Sequence, residues 1–497
     1  MTLLFAEDGL IVNLSDPEEK TMDRLIEKAE KQGYHGRVKK FTDYKQLCKA
    51  LSKPRLLVFS LPHGGVGDKV LEGLMPNLEK GDIILDCGNE HFANTERRQA
   101  KCRGTNIRYI GCGVSGGYQA ARAGPSMCPG GDESALRDVM PLLEKVAAKD
   151  KDGKPCVGII GKGGAGHYVK MVHNGIEHGM MSAICEAWGI LVKMGLGYEE
   201  IGNILKKWDS NGELKGTFLI TIGADLSHKH DDKQDIKGNE HPLVISEVLD
   251  KVVQDVTGEE GTGVWSNQEA IEHHVPAFTL NVAHAFRLAS AYRGDRIKAN
   301  EVTDGGFPPQ QLNIHDKDSF IEDLRKATYA ACLASYIQGM HLISRADQAH
   351  KWDINYGNIW KIWRAGCIIK ADYISDEILA PILLSSSLKA ENIHLLFQKR
   401  VATDIRNAYP ALRRIVSKVV ETDQVAPALS ATLEYYKIVT GTDLPTAFYE
   451  AELDYFGSHM FDKKGEKGTN GPLEGKFHFE WKPVRTQSQT YGSAPSQ

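Results

Sequence analysis

Along the first third of the chain, two kinds of hydrophobic pattern alternate. Short apolar runs of strand length fall at Leu10–Leu14, Arg55–Leu61, Asp82–Cys87, Ile107–Ile110 and Cys156–Ile160. Between them, apolar positions recur at helical spacing in Thr21–Gln32, Asp43–Ser52, Asp68–Glu79, His91–Arg103 and Glu133–Ala148. Such an alternation predicts a mostly parallel, doubly wound sheet. From about residue 165 the pattern becomes long and helical, as in Lys326–Ala346, and strand candidates become scarce. Ser227–Pro242 is charged and polar and reads as a solvated loop. Gly457–Gly475 is rich in Gly and Lys, and Phe477, Phe479 and Trp481 alternate with polar residues after it. An aromatic island in a tail of this kind is expected to dock on a surface, such as another subunit's. The Ser/Gln/Pro-rich end is expected to be disordered.

One helical segment breaks its own pattern. In Gly164-Ala-Gly-His-Tyr-Val-Lys-Met-Val-His-Asn-Gly-Ile-Glu177, the polar residues Lys170, His173 or Asn174, and Glu177 fall on one face. Val169, Met171, Val172, Ile176, Met180, Met181, Ala183 and Ile184 make the rest apolar, and a helix apolar nearly all round is buried. Buried Lys and Glu are costly unless paired or used. Two readings stand at this level. One is a structural ion pair beside an amide; the other is an active site, with burial tuning Lys170 as a general base and Glu177 as a general acid.

Composition narrows the class. A chain of 497 residues exceeds one ordinary core and predicts two or three domains. With 60 basic and 65 acidic residues, the net charge of −5 does not suggest a nucleic-acid or anionic-membrane binder. No apolar run approaches the ~18 residues needed to span a bilayer, and Met1–Glu7 lacks the features of a signal peptide. The nine cysteines are scattered without a CxxC pair. That usage predicts a reducing, cytoplasmic setting, with no disulfide framework and no metal site.

Two G-x-G-x-x-G matches follow apolar runs: Gly111-Cys-Gly-Val-Ser-Gly116 and Gly161-Lys-Gly-Gly-Ala-Gly166. Neither has the context of a dinucleotide fingerprint, which belongs to the first βα turn with an acid ~20 residues on. Four strand candidates precede the first, with no clear helix signal after it. The second opens the Lys170 helix, and the acid at the right distance, Glu186, lies within that same helix.

Gly111–Gly117 and Gly164–Glu177 together resemble the 6-phosphogluconate dehydrogenase family of the β-hydroxyacid dehydrogenase superfamily. The likeness continues through Asp86-Cys-Gly-Asn89, Gly124-Pro-Ser-Met127, Gly261-Thr-Gly-Val-Trp265, Asn355-Tyr-Gly357, Trp363–Ile369 and Asp454–His459. The resemblance implies a Rossmann-like α/β domain over residues 1–163, a large all-α domain over 164–452, and a tail at 453–497 that contacts the partner of a homodimer. It implies NAD(P)-dependent oxidative decarboxylation of 6-phosphogluconate or a related aldonate, without a metal. Lys170 is then the base and Glu177 the acid. Asn89, Ser115, Gly116, Gly117, His173, Asn174, His178, Thr262, Arg287 and, across the dimer, His459 match substrate positions. Asp16, Leu61 and Asn89 match cofactor positions.

Three departures from the family pattern modify these expectations. The family's first strand and glycine turn have no counterpart, which predicts an incomplete sheet with an unpaired interior edge and weak dinucleotide binding. Asp16-Pro17-Glu18 replaces the family's Asn-Arg-Thr, and an acid there accepts a ribose 2′-hydroxyl but repels a 2′-phosphate, so NAD is favoured over NADP. At the phosphate end, Glu260 and Leu453 stand where the family has Lys and Arg, and His178 where it has Tyr. Two lost charge-assisted bonds of roughly 1.5–3 kcal/mol each predict weaker hold on a phosphate, and favour an unphosphorylated aldonate or 3-hydroxy acid. A protonated His178 would restore a little of that hold. The alternative to an active enzyme is a catalytically impaired paralogue that serves as a binding or regulatory dimer.

Overall fold

The computed structural model describes residues 1–231, 241–254, 261–385, 393–465 and 475–481. Most of Ser227–Pro242, Glu259 and Glu260, and the Ser/Gln/Pro-rich end lie outside them. The chain divides into two compact units, Met1–Tyr435 and Tyr436–Gln497.

In the first unit, six strands alternate with helices: β1 (Val12–Leu14), β2 (Val38–Lys40), β3 (Leu56–Phe59), β4 (Ile83–Asp86), β5 (Arg108–Ser115) and β6 (Ser126–Gly131). The expected interior edge is present. The strands β1 and β2 form one parallel pair, and β3-β4-β5-β6 form a separate sheet, parallel except for β6. The short helix α1 (Thr2–Glu7) joins the two sheets through its side chains. Leu3 and Ala6 pack with Ala29 and Val38 beside the pair, while Leu4 and Phe5 pack with Ile83, Leu85 and Ile110 of the larger sheet. Burying a side chain the size of Leu or Phe contributes about 1.5–3 kcal/mol, so α1 ties the two halves firmly.

Two strand assignments are corrected. Cys156–Ile160 forms only a bridge, Met127 to Val157, and the sheet's last strand is Ser126–Gly131. Its Ser-Met-Cys-Pro-Gly-Gly sequence carries no strand pattern, and its place is set by antiparallel pairing with β5. That pairing also extends β5 through the first glycine motif to Ser115. After the motif comes a real helix, α6 (Gly117–Ala123), with Gly116 as its left-handed N-cap at φ 101°. The β2 strand, Val-Lys-Lys, was likewise too short and polar to register as apolar.

The rest of the unit is helical. In chain order come α2 (Glu19–Lys31), α3 (Tyr44–Lys49), α4 (Gly65–Leu74), α5 (Phe92–Arg103) and α7 (Glu133–Val146) among the strands. The long helix α8 (Ala165–Lys193) is followed by α9 (Tyr198–Ser210), α10 (Phe218–His228), α11 (Thr262–Glu272), α12 (Phe278–Ala291) and α13 (Arg293–Val302). Then come α14 (Lys317–His350), α15 (Tyr356–Ile362), α16 (Ala380–Leu383), α17 (Lys399–Glu421) and α18 (Pro427–Thr440), the last running into the second unit. The central helices α8 and α14 bury most of their length, including Val172, Ile176, Ala334 and Ile337. Glu186, the acid ~20 residues after the second glycine motif, accepts from the Ala428 and Leu429 amides at 2.8 and 2.9 Å and caps α18 instead of holding a ribose. Among the described residues, no helix is long and apolar enough to cross a membrane.

The second unit is built around α19 (Thr446–Gly457). Asp454 is buried there and accepts from Trp481 Nε1 at 2.8 Å, His478 Nδ1 at 2.9 Å, the Met460 amide at 2.9 Å and the Phe479 amide at 3.1 Å. This cradle orders the aromatic island. Phe448, Tyr449 and Phe456 are 71%, 64% and 61% exposed.

Candidate active site

The two glycine motifs prepare the site by letting backbones meet. A Cβ on Gly166, in the first turn of α8, would lie 2.3 Å from the Cys128 oxygen and 2.4 Å from the Gly111 oxygen. A Cβ on Gly113 would lie 2.2 Å from Cβ of Lys170. The motifs therefore pack α8 directly on β5 and β6, and the stem of Lys170 crosses the strand where a larger residue would block it.

On this base the polar face of α8 forms one hydrogen-bonded chain. Lys170 Nζ donates to Asn174 Oδ1 at 2.7 Å, and His173 Nδ1 lies 3.0 Å from the same oxygen. An amide oxygen only accepts, so His173 carries its proton on Nδ1. Its Nε2 then accepts from Ser115 Oγ, 3.0 Å away at the end of β5. Asn174 Nδ2 donates to Thr262 Oγ1 at 2.8 Å, which brings in the first residue of α11. Glu177 Oε2 stands 3.7 Å from His173 Nδ1 on the same face. Burial, reinforced by the Lys170 charge, holds the pKa of His173 well below its ordinary value, so the imidazole is neutral. Lys170, His173, Ser115 and Thr262 are buried, while Asn174 and Glu177 are partly open.

One turn further along α8, Arg287 NH1 of α12 donates to His178 Nε2. Burial and then the Arg287 charge push the pKa of His178 well down. This corrects the expectation of a protonated His178: it is a neutral acceptor that holds Arg287 in place, and it adds no charge of its own. Its ring stacks on His284 with centroids 5.8 Å apart.

The remaining sequence-derived positions lie on loops. Gly116 and Gly117 form the turn into α6, and a Cβ on Gly116 would lie 2.4 Å from the Gly366 oxygen, so the Trp363–Ile369 motif supports this turn. Asn89 is exposed after β4, and Leu61 is half-buried after β3. A Cβ on Gly88 would lie 2.9 Å from the Leu61 oxygen, so these loops abut at the carboxyl ends of adjacent parallel strands. Asp16 is exposed after β1, its Oδ1 accepting from the Glu18 amide at 2.8 Å. His459 belongs to the second unit, where it is exposed, with its ring 5.8 Å from that of Phe456.

A supporting network escaped sequence reasoning. Arg98 of α5, buried, donates to Glu90 at 2.7 Å and to the Gly64 oxygen at 2.7 Å, and pairs with Asp68 at 3.0 Å. It thereby ties the loop after β3 to the loop after β4. No local pattern announces an interaction between residues some thirty positions apart.

The chain matches two family models: the NAD binding domain of 6-phosphogluconate dehydrogenase over residues 1–161, and the 6-phosphogluconate dehydrogenase C-terminal domain over 166–481. It is 41% identical over 496 residues to a decarboxylating 6-phosphogluconate dehydrogenase of Emericella nidulans, covering 98% of this chain and 99% of the relative. It is 37% identical to the Escherichia coli protein of the same description, covering 92% and 93% of the two chains. Among solved structures, it is similar to Plasmodium falciparum 6-phosphogluconate dehydrogenase, described in apo form and in complex with NADP+ and 6-phosphogluconate. That match has a TM-score of 0.83 at 31% identity and covers 97% of each chain.

Proposed function

The chain belongs to the 6-phosphogluconate dehydrogenase family, and we propose that it oxidatively decarboxylates 6-phosphogluconate with a nicotinamide dinucleotide, using Lys170 as base and Glu177 as acid. The observation that carries this reading is the linked Lys170–Asn174–Thr262 and His173–Ser115 chain, with Glu177 beside it, on a helix otherwise apolar. A purely structural ion pair would not need Ser115 and Thr262 from two other elements converging on it. The impaired-paralogue alternative is therefore not favoured.

The loops at the strand ends fit a dinucleotide: Asp16 is suited to a ribose hydroxyl, and Gly88 lets its loop lie directly against Leu61 beside Asn89. A bound nicotinamide would supply the acceptor for the hydride from C3 of the substrate. Lys170 takes the C3 hydroxyl proton as the C–H electron pair leaves. The resulting 3-keto acid breaks its C1–C2 bond and releases CO2, leaving an enediol. Glu177 returns a proton to the carbon that lost the carboxylate. The amides of Ser115, Gly116 and Gly117 are suited to the substrate carboxylate, and Arg287, braced by His178, is suited to the phosphate together with Thr262. 6-Phosphogluconate stands ahead of the unphosphorylated aldonates that Glu260 and Leu453 favour, because the relatives carry its name and Arg287 and Thr262 remain.

Three finer readings belong to the same proposal. NAD is preferred to NADP, because Asp16 repels a 2′-phosphate. The chain works as a homodimer in which Leu453–His459 and the ordered aromatic island meet the partner, and His459 reaches its substrate. The nine free thiols suit a reducing cytoplasm. Steady-state assays that follow nicotinamide reduction and CO2 release with 6-phosphogluconate test the core claim. Lys170→Met should lower kcat by roughly 10²–10⁴, the range general-base catalysis supplies. Near-normal turnover by Lys170→Met would overturn the assignment.

A further inference from the structure

Three metal-ligating side chains meet away from the Lys170 chain. Glu269 lies in the last turn of α11, His273 caps that helix, and His350 ends α14; one ligand atom from each lies within 4.8 Å of the others. The Glu269 Oε2 and His273 Nε2 atoms are 3.2 Å apart. Glu269 is 5% exposed, and its buried carboxylate faces Tyr168 as well as His273. Bonds of about 2.0–2.2 Å from a tetrahedral zinc ion place its ligand atoms roughly 3.3–3.5 Å apart, so this pair already has the required spacing.

His350 is exposed, yet its ring is oriented. It stacks on Trp352 with centroids 4.4 Å apart and an interplanar angle of 7°, and lies edge-on to His273 at 6.0 Å. Trp352 is itself buried and donates from Nε1 to Glu96 at 2.7 Å. Reaching the zinc spacing takes a shift of His350 by about 1.5 Å at most, within the range of a surface side chain.

We propose that Glu269, His273 and His350 form a site for a divalent transition metal of the zinc type, which clamps the far end of α11 to the end of α14. Two imidazoles and one carboxylate suit zinc and leave a coordination position open to water or an outside ligand. The site lies about 16 Å along α11 from Thr262, so its role is to fix this helix and not to take part in hydride transfer. The spacing Glu-x-x-x-His brings two ligands together at one end of α11, and only α14 supplies the third.

The test uses the full, untagged chain, stripped with EDTA and desalted. Calorimetric titration with zinc chloride should show one equivalent bound with micromolar affinity or better, and cobalt(II) should give visible ligand-field bands. Zinc should raise the melting temperature. His350→Ala, an exposed change, and His273→Ala should each weaken binding at least ~10²-fold, since even outer-shell changes cost 10–100-fold. In EDTA, His350→Ala should melt with the parent, which separates metal loss from misfolding. No equivalent bound more tightly than roughly 1 mM, or binding and thermal shifts unchanged in both variants, would overturn the assignment.

Discussion

The polar face of α8 and the loops at the strand ends are ordered by opposite means. On α8, Lys170, His173, Asn174, Ser115 and Thr262 satisfy one another in a chain of bonds between 2.7 and 3.0 Å, largely out of water. At the strand ends, Asp16 and Asn89 stand exposed, and the loop that carries Asn89 is held from behind by the buried Arg98 network. A buried polar group must find its partners within the protein, because leaving one unmade costs about 1–3 kcal/mol. An exposed group keeps water until a ligand replaces it. The first region is thus set before anything binds, while the second keeps its polar groups hydrated.

The sharpest way to break this contrast is to separate α8 from its sheet. Gly166→Ala places a methyl against three backbone atoms within 2.8 Å, none of which can rotate away. We expect a loss of about 4 kcal/mol or more, in the range reserved for backbone displacement. Urea denaturation would measure it, and a loss below about 1 kcal/mol would show that the α8–β5 contact is looser than described.

A second test acts on the buried imidazoles without changing their size. His173 and His178 have folded pKa values well below the ordinary 6.5, so above that pH they are neutral in both states and cost nothing. As pH falls below 6.5 the unfolded chain takes up protons that the folded one refuses, and stability drops. By pH 5.5 each histidine removes about 1.4 kcal/mol, or about 3 kcal/mol together. Denaturant midpoints at pH 7.5 and 5.5 should show at least this loss, because His167 and His341 are shifted the same way, and His173→Gln should remove about 1.4 kcal/mol of it. A flat profile would mean that these rings are hydrated.

The smallest expected effect concerns the exposed side. Asp16→Asn should leave stability within about 0.5 kcal/mol, as for most surface changes. It should shift the NADP-to-NAD ratio of kcat/KM toward NADP by about tenfold, equivalent to about 1.4 kcal/mol. A parent chain that already prefers NADP would remove the basis for the shift.

Sequence by itself determined the alternation of strands and helices, the long helical remainder, and the anomaly of charge within α8, because local periodicity and burial cost are properties of a segment. It also placed Asp16 at a strand end. Tertiary structure decided everything that depends on the approach of distant backbones. Ser-Met-Cys-Pro-Gly-Gly is a strand only because β5 pairs with it, and two motifs shaped like phosphate loops are packing surfaces because α8 rests on them. Tertiary structure likewise made His178 a neutral brace for Arg287, and brought His350 to Glu269 and His273. The physical reason is common to all four. A residue's partners across the fold set its desolvation and hydrogen bonds, and those partners lie many positions away in the chain.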